Sequence, residues 1–275
     1  MTGIKACTSF IYVYGLIPSK ELEQKGAPSF VGINGMESYM KQYEEVTAIV
    51  CRVSENDFSE QQVEIRLKDP NWLQEKAFHH HECIELIYRD FTVIPMSFCT
   101  IFQNEENLEN MIADRHNVIV EKFYQLSAKE EWNLKVYCDA GSMKSHVAEY
   151  NPSVLAFVEE LKHMPRGKQF IMKKKLERLL AAEVEKEQMG RWEAIHQQLQ
   201  NITSDCKVRK NWGKEITHRN DDMLFNCDYL IHKEQVETFL HCIREKEQSY
   251  AELGWSFVLT GPWPPYHFAQ MIREE

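Results

Sequence analysis

No apolar run in these 275 residues approaches the ~18 to 20 needed to cross a bilayer. The opening MTGIKACTSFIYVYGLIP holds a short apolar stretch without a basic leader or a small-residue cleavage site, so it reads as a strand and the protein as cytoplasmic. Eight cysteines are present, but no two lie closer than fifteen residues, which leaves neither a CxxC knuckle nor a dense disulfide framework. Also missing are a GxSxG elbow, a Walker loop and a GxGxxG turn after a strand. Positive charge is in deficit: 32 basic residues against 42 acidic give a net charge of −10. That field repels phosphate backbones and anionic membranes, so neither nucleic acid nor membrane is an expected partner. What remains is a globular composition, 43% hydrophobic and 27% charged, on a chain long enough for two domains.

Local patterns predict an α+β protein. SFIYVYGLIP (9–18) and VTAIVCRV (46–53) are strand candidates rich in β-branched and aromatic residues, joined by the Gly- and Pro-bearing KGAPSFVGINGME. DPNWLQEKAFHHHECIELIYRD opens with Asp69 as N-cap and Pro70 at the first helical position, and its Leu73, Ala77, Ile84 and Ile87 form one apolar stripe. FTVIPMSFCTIF reads as a strand whose Pro95 implies an edge or a bulge. NEENLENMIADRHNVIVEKFYQL reads as a helix with Leu108, Ile112, Ile119, Phe123 and Leu126 on one side. After SAKEE, the residues Trp132, Leu134, Val136 and Cys138 alternate with Asn133, Lys135 and Tyr137, as in a sheet buried on one face. Helix with breaks at Pro152 and Pro165 follows to about residue 200, then strands at 205–210 and 223–231, a helix with Val236, Phe239, Leu240 and Ile243, and a strand at 255–260. The order β-α-β-β-α-β is the ferredoxin-like one. The expected organisation is an N-terminal mixed α+β domain over 1–127 and a ferredoxin-like domain over 128–275 with a long helical insert.

Few residues invite a chemical reading. FHHHEC (78–83) suggests a metal, but successive helical residues point ~100° apart, so three adjacent histidines cannot face one ion. The pairs His79 with Cys83, or His81 with Glu85, supply two ligands at most, and no matching second pair exists. No metal and no cofactor is expected. His80 falls on the apolar stripe and is expected to hydrogen-bond inside the core, with His79 and His81 nearly silent. Cys99 reads as a buried, inert thiol. KVYCD lacks the glycine and paired aromatics of an RNA-recognition strand. Lys173, Lys174, Lys175 and Arg178 are followed closely by Glu177, Glu183, Glu185 and Glu187, which reads as a mixed-charge solvated face, with a partner-docking helix as the sharper alternative. On residues alone, the function is open between a binding protein and a ferredoxin-like enzyme or small-ligand sensor.

TGPWPPYHFA (260–269) packs three prolines and three aromatic residues into ten positions. Pro262 removes a ladder donor and should end the preceding strand, and Pro264 and Pro265 set an extended path at low entropic cost. Trp263, Tyr266 and Phe268 then supply apolar area. A free tail of this composition would invite aggregation, so the segment is expected to dock, in a groove between the domains or on the first domain's sheet.

Taken together, YVYGLIP (12–18), DPNWLQEKAFHHHECI (69–84), VIPMSFCTIF (93–102), EEWNLKVY (130–137), NCDYLIHK (226–233) and TGPWPPYHFA resemble, in order, the gas vesicle protein F and L family. GPWPPY is the most specific of these segments. One departure is Cys99, which stands where the family pattern has glycine and which a strand accommodates without strain. The resemblance implies an accessory or minor structural role in building gas vesicles, no enzymatic reaction, and the hydrophobic shell protein and other accessory proteins as partners, in the cytoplasm and at the vesicle. Trp263, Pro264, Pro265, Tyr266, Phe268, Trp72, His80, Phe98 and Trp132 are the structural or partner-contact candidates.

Overall fold

The computed structural model describes residues 9–271, which divide into two compact units. The first takes the residues up to Glu130 together with those from Trp263 onward, and the second is Glu131–Pro262.

The first unit runs β1 (Ser9–Pro18), α1 (Ser19–Lys25), β2 (Ser38–Tyr43), β3 (Val46–Ser54), α2 (Glu55–Phe58), α3 (Glu60–Arg66) and α4 (Pro70–Asp90). Two short strands, β4 (Ile94–Pro95) and β5 (Ile101–Phe102), precede α5 (Glu105–Asp114) and α6 (His116–Leu126). The sheet order is β2-β3-β1-β4, with β5 also pairing with β1. β1 is buried without a break from Ile11 to Ile17, as a strand covered on both faces must be. Tyr12 and Tyr14 join α4 residues Cys83 and Ile87 in one core, while α6 packs against β1 and β3. The β1–β3 register shifts between Val13 and Gly15, where the backbone of β4 comes close. Asp69 caps α4 by accepting from the N–H groups of Asn71 (3.0 Å) and Trp72 (3.4 Å), and Pro70 occupies the first turn where its missing donor costs nothing.

The second unit contains β6 (Lys129–Cys138, whose first two residues fall in the first unit), α7 (Ala140–Tyr150), α8 (Pro152–Lys162), α9 (Arg166–Gln200), β7 (Asp205–Val208), α10 (Lys214–Thr217), β8 (Asp222–His232), α11 (Val236–Tyr250) and β9 (Trp255–Trp263). Its sheet order is β7-β8-β6-β9. Alternate residues Leu134, Val136 and Cys138 of β6 and Cys227, Tyr229 and Ile231 of β8 share a core with Trp192, Ile195 and Leu199 of α9 and Phe239 and Ile243 of α11.

Several expectations need correction. The stretch 93–102 is not one strand: β4 and β5 are separated by a turn at Phe98 and Cys99. The stretch 104–126 is two helices broken at Arg115, although all five stripe residues are buried. Pro262 does not end β9, which runs on to Trp263. β7 stops at Val208, and β2, α2 and α3 have no counterpart in the sequence reading.

Gly15→Ala is expected to cost about 1 to 3 kcal/mol in chemical denaturation, as an overpacking change. The added methyl would lie 2.8 Å from Val93 Cγ2 and 3.1 Å from the Ile94 carbonyl oxygen. Gly167→Ala, in the first turn of α9 with open space around it, should be neutral or stabilising. Equal losses at both positions would remove the close approach as the cause.

Candidate functional site

Three of the candidate residues, Trp72, His80 and Phe98, meet in one aromatic cluster of the first unit. α4 delivers Trp72 from its first turn and His80 from its middle, and the β4–β5 turn delivers Phe98. Ring centroids lie 5.9 Å apart for Trp72 and Phe98 and 5.8 Å for His80 and Phe98. Tyr14 stacks on His80 at 5.6 Å and 23°, and Tyr12 meets it edge-on.

The hydrogen bonds of His80 fix its tautomer. Nε2 lies 3.0 Å from the Met96 carbonyl oxygen, which can only accept, so Nε2 carries the proton. Nδ1 then accepts from the Tyr12 hydroxyl at 2.8 Å. The same hydroxyl oxygen accepts the backbone N–H of Cys99 at 3.4 Å. Burial pushes the His80 pKa down from 6.5 to about 4, against a smaller opposite effect of the Met96 carbonyl. At neutral pH the ring is uncharged, and only 4% of the residue is exposed.

Cys99 closes this arrangement with φ +63°, the left-handed region that a glycine enters freely. The expected unstrained strand position is thus a left-handed turn position. Burial raises the Cys99 thiol to about 11 and the Cys83 thiol to about 12, so both stay protonated at neutral pH. A neutral, fully engaged histidine and protonated thiols can hold a structure together, but they offer neither a proton shuttle nor a thiolate nucleophile.

The neighbouring histidines serve other partners. His79 Nε2 lies 3.6 Å from Cys83 Sγ, and His81 Nε2 lies 3.5 Å from Glu85. His81 was expected to be nearly silent, yet its Nδ1 is 2.6 Å from the Tyr266 hydroxyl and its ring faces both Trp263 (6.0 Å) and Tyr266 (5.8 Å). Pro264, Pro265, Phe268 and Ala269 are buried, and Trp263 and Tyr266 are half-buried. The segment is pinned internally by Ala269 N–H donating to the Pro265 carbonyl at 2.8 Å. Along it runs an open groove of about 590 Å³, lined on one side by Ile94, Pro95 and Met96 and on the other by Tyr266, Ala269 and Met271.

Trp132 belongs to β6 of the second unit. It is half-buried against Gly261, where a Cβ would meet the Glu131 carbonyl oxygen at 2.9 Å and the Trp132 ring at 3.0 Å. A polar network missed in the sequence lies on the same sheet: Asn133 Nδ2 donates to Asn226 (2.9 Å) and Asp228 (2.7 Å), and Arg209 pairs with Asp228 at 2.9 Å. The alternation of polar residues in β6 was its one visible signal.

A sequence model of the family described as gas vesicle synthesis protein GvpL/GvpF matches residues 10–270. The chain belongs to that family. Gas vesicle protein L of a Streptomyces species is 23% identical over 248 residues, covering 89% of this chain and 87% of its own length. Two crystal structures share the fold: gas vesicle protein GvpF from Anabaena, with a TM-score of 0.71 at 14% identity, 95% of this chain and 98% of that one covered, and GvpF from Microcystis aeruginosa, with a TM-score of 0.63 at 18% identity, 95% and 99% covered. Across this span no helix among the described residues is long and apolar enough to cross a membrane.

Two predictions follow from the geometry of this family member. In the unfolded chain His80 takes up a proton near pH 6.5, whereas the folded chain resists protonation until about pH 4. The unfolded state therefore binds more protons between those values. The contribution of His80 is complete above about pH 6.5 and is lost as pH falls towards 4, by about 3 kcal/mol in all. Denaturation of wild type and His80→Gln at pH 7, 6, 5 and 4 reads this directly: the wild type should lose more than the variant, and parallel losses would refute it.

For the tail, Phe268→Ala should cost about 3 to 5 kcal/mol and Tyr266→Phe about 1 kcal/mol. Trp263→Ala, at a half-buried ring, should cost less than Phe268→Ala. Thermal melting tests all three, and an unchanged melting temperature for Phe268→Ala would mean that the segment does not hold the first unit together.

Proposed function

We propose that this protein binds the hydrophobic gas vesicle shell protein and supports its assembly, acting in the cytoplasm and at the vesicle without catalysing a reaction. The observation that carries the reading is the family match over residues 10–270. The engaged, neutral state of His80 and the protonated thiols around it fit a binding role better than a catalytic one. On this reading the second unit, with its β-α-β-β-α-β order and β7-β8-β6-β9 sheet, is a ferredoxin-like module. Trp263–Met271 is a docked segment that forms one wall of the binding groove.

A shell subunit with a gas-facing apolar surface would aggregate in water unless another protein covered that surface during delivery. The groove between the β4 segment and the tail offers apolar side chains on both walls. β4 is also the terminal strand of its sheet path, so its edge can take an added strand. Other gas vesicle accessory proteins are further expected partners.

Co-expression with the shell protein should give a complex that co-purifies, and deleting the gene should abolish intact vesicles. Met96→Glu, which places a carboxylate in the groove wall, should weaken co-purification by about tenfold with little change in melting temperature. Intact vesicles without the gene, together with no association, would refute the function. Full association of Met96→Glu would refute the groove alone.

A further inference from the structure

The hairpin between α8 and α9 carries a surface that the gas vesicle reading leaves unused. Between residues 166 and 178 the chain places Arg166, Lys168, Lys173, Lys174, Lys175 and Arg178 with Glu177 as the sole acid, on a protein whose net charge is −10. Among the described residues none of these six cations is in an ion pair, although acids elsewhere are paired repeatedly. Lys175 makes one contact of note, over the Phe157 ring at 5.9 Å. The nearby α8 acid Glu159 is already taken by Lys162 at 2.6 Å and His163 at 3.5 Å.

In the middle of this charge stand Phe170 and Ile171, 79% and 72% exposed. Their exposure has a geometric cause. Met172, Leu176 and Leu179 form the inward side of α9, half-buried, and the latter two pack on the second unit's core. Phe170 and Ile171 lie on the opposite side of the helix, near Lys174, Lys175 and Arg178 at i+4 and i+7 spacings. Removing them from water would cost the fold nothing, since the fold does not use them.

We infer that this outward face of α9 is a docking site for an acidic segment of a partner protein. The partner would set apolar side chains against Phe170 and Ile171 and carboxylates against the surrounding cations. Uncompensated local charge opposite in sign to the chain's own favours an acidic ligand, and desolvated apolar residues inside a charged rim are the usual anatomy of a protein contact. A lipid surface fits less well. Its interfacial helices bury a whole apolar face, whereas here the exposed apolar part is two side chains wide and the inward face is already occupied.

The test uses the full chain and synthetic probes, so its outcome is separate from whether the shell protein binds. Fluorescence anisotropy is measured with a labelled helical peptide of Glu and Leu, with a Glu and Ser peptide of equal charge, and against vesicles containing phosphatidylglycerol. The Glu and Leu peptide should bind, weaken as salt rises, and exceed the Glu and Ser peptide by about tenfold. Lys174→Glu with Lys175→Glu, and separately Phe170→Ser with Ile171→Ser, should each cut that binding by about tenfold while the melting temperature stays unchanged. No binding, equal binding of both peptides, or unaltered binding by the variants would overturn the proposal. Tighter capture by vesicles would assign the face to a membrane. Self-association abolished by Phe170→Ser with Ile171→Ser would assign it to a second copy of the chain.

Discussion

The first unit depends on one short chain of hydrogen bonds. The Tyr12 hydroxyl donates to His80 Nδ1, and His80 Nε2–H donates to the Met96 carbonyl. Three separate pieces of chain, the central strand β1, the helix α4 and the β4–β5 segment, are joined through a single imidazole. Because the ring is neutral it can sit in a dry core without a counterion, and because both nitrogens are used it leaves no buried polar atom unpaired. Tyr14 and Phe98 supply the walls that keep it dry. Cys99 pays for its left-handed conformation, about 1 to 2 kcal/mol for a residue with a Cβ, and directs its N–H to the Tyr12 oxygen.

The same helix shows how a repeated residue can carry unlike duties. His80 and His81 are adjacent in sequence and about 100° apart around the axis. One therefore faces the tyrosines of β1 and the other faces Trp263 and Tyr266. A run that looks like a ligand set is an inward residue, a tail contact and a local partner of Cys83.

Much of this was legible where periodicity and burial agree. The cap at Asp69, the burial of His80, Ile84 and Ile87, and the inward Leu134, Val136 and Cys138 of β6 follow from side-chain direction, whereas Leu73, Ala77 and Trp132 are only half-buried and Tyr137, expected to face outward, is buried. The illegible parts were set by tertiary contact. SYMKQY lacks a clean alternating pattern and becomes β2 because β3 lies beside it. The turn at Phe98 and Cys99 is hidden in a β-rich stretch because its geometry depends on Tyr12, 87 residues away from Cys99. Of the candidate residues, Trp72, His80 and Phe98 came together, Trp263 and Tyr266 met a histidine that sequence had set aside, and Trp132 falls in the second unit. The contact of His81 with Tyr266 had no signal, since the two are 185 residues apart.

The grouping of Trp263–Met271 with the first unit makes the second unit an insertion within the first. Translation runs in one direction, so residues up to Glu130 leave the ribosome long before the tail that completes their surface. At synthesis rates of about 5 to 20 residues per second, the interval is on the order of ten seconds. During it, His81 has no Tyr266, and the groove has only its β4 wall. A nascent chain, or one cut short before Trp263, thus lacks the finished groove.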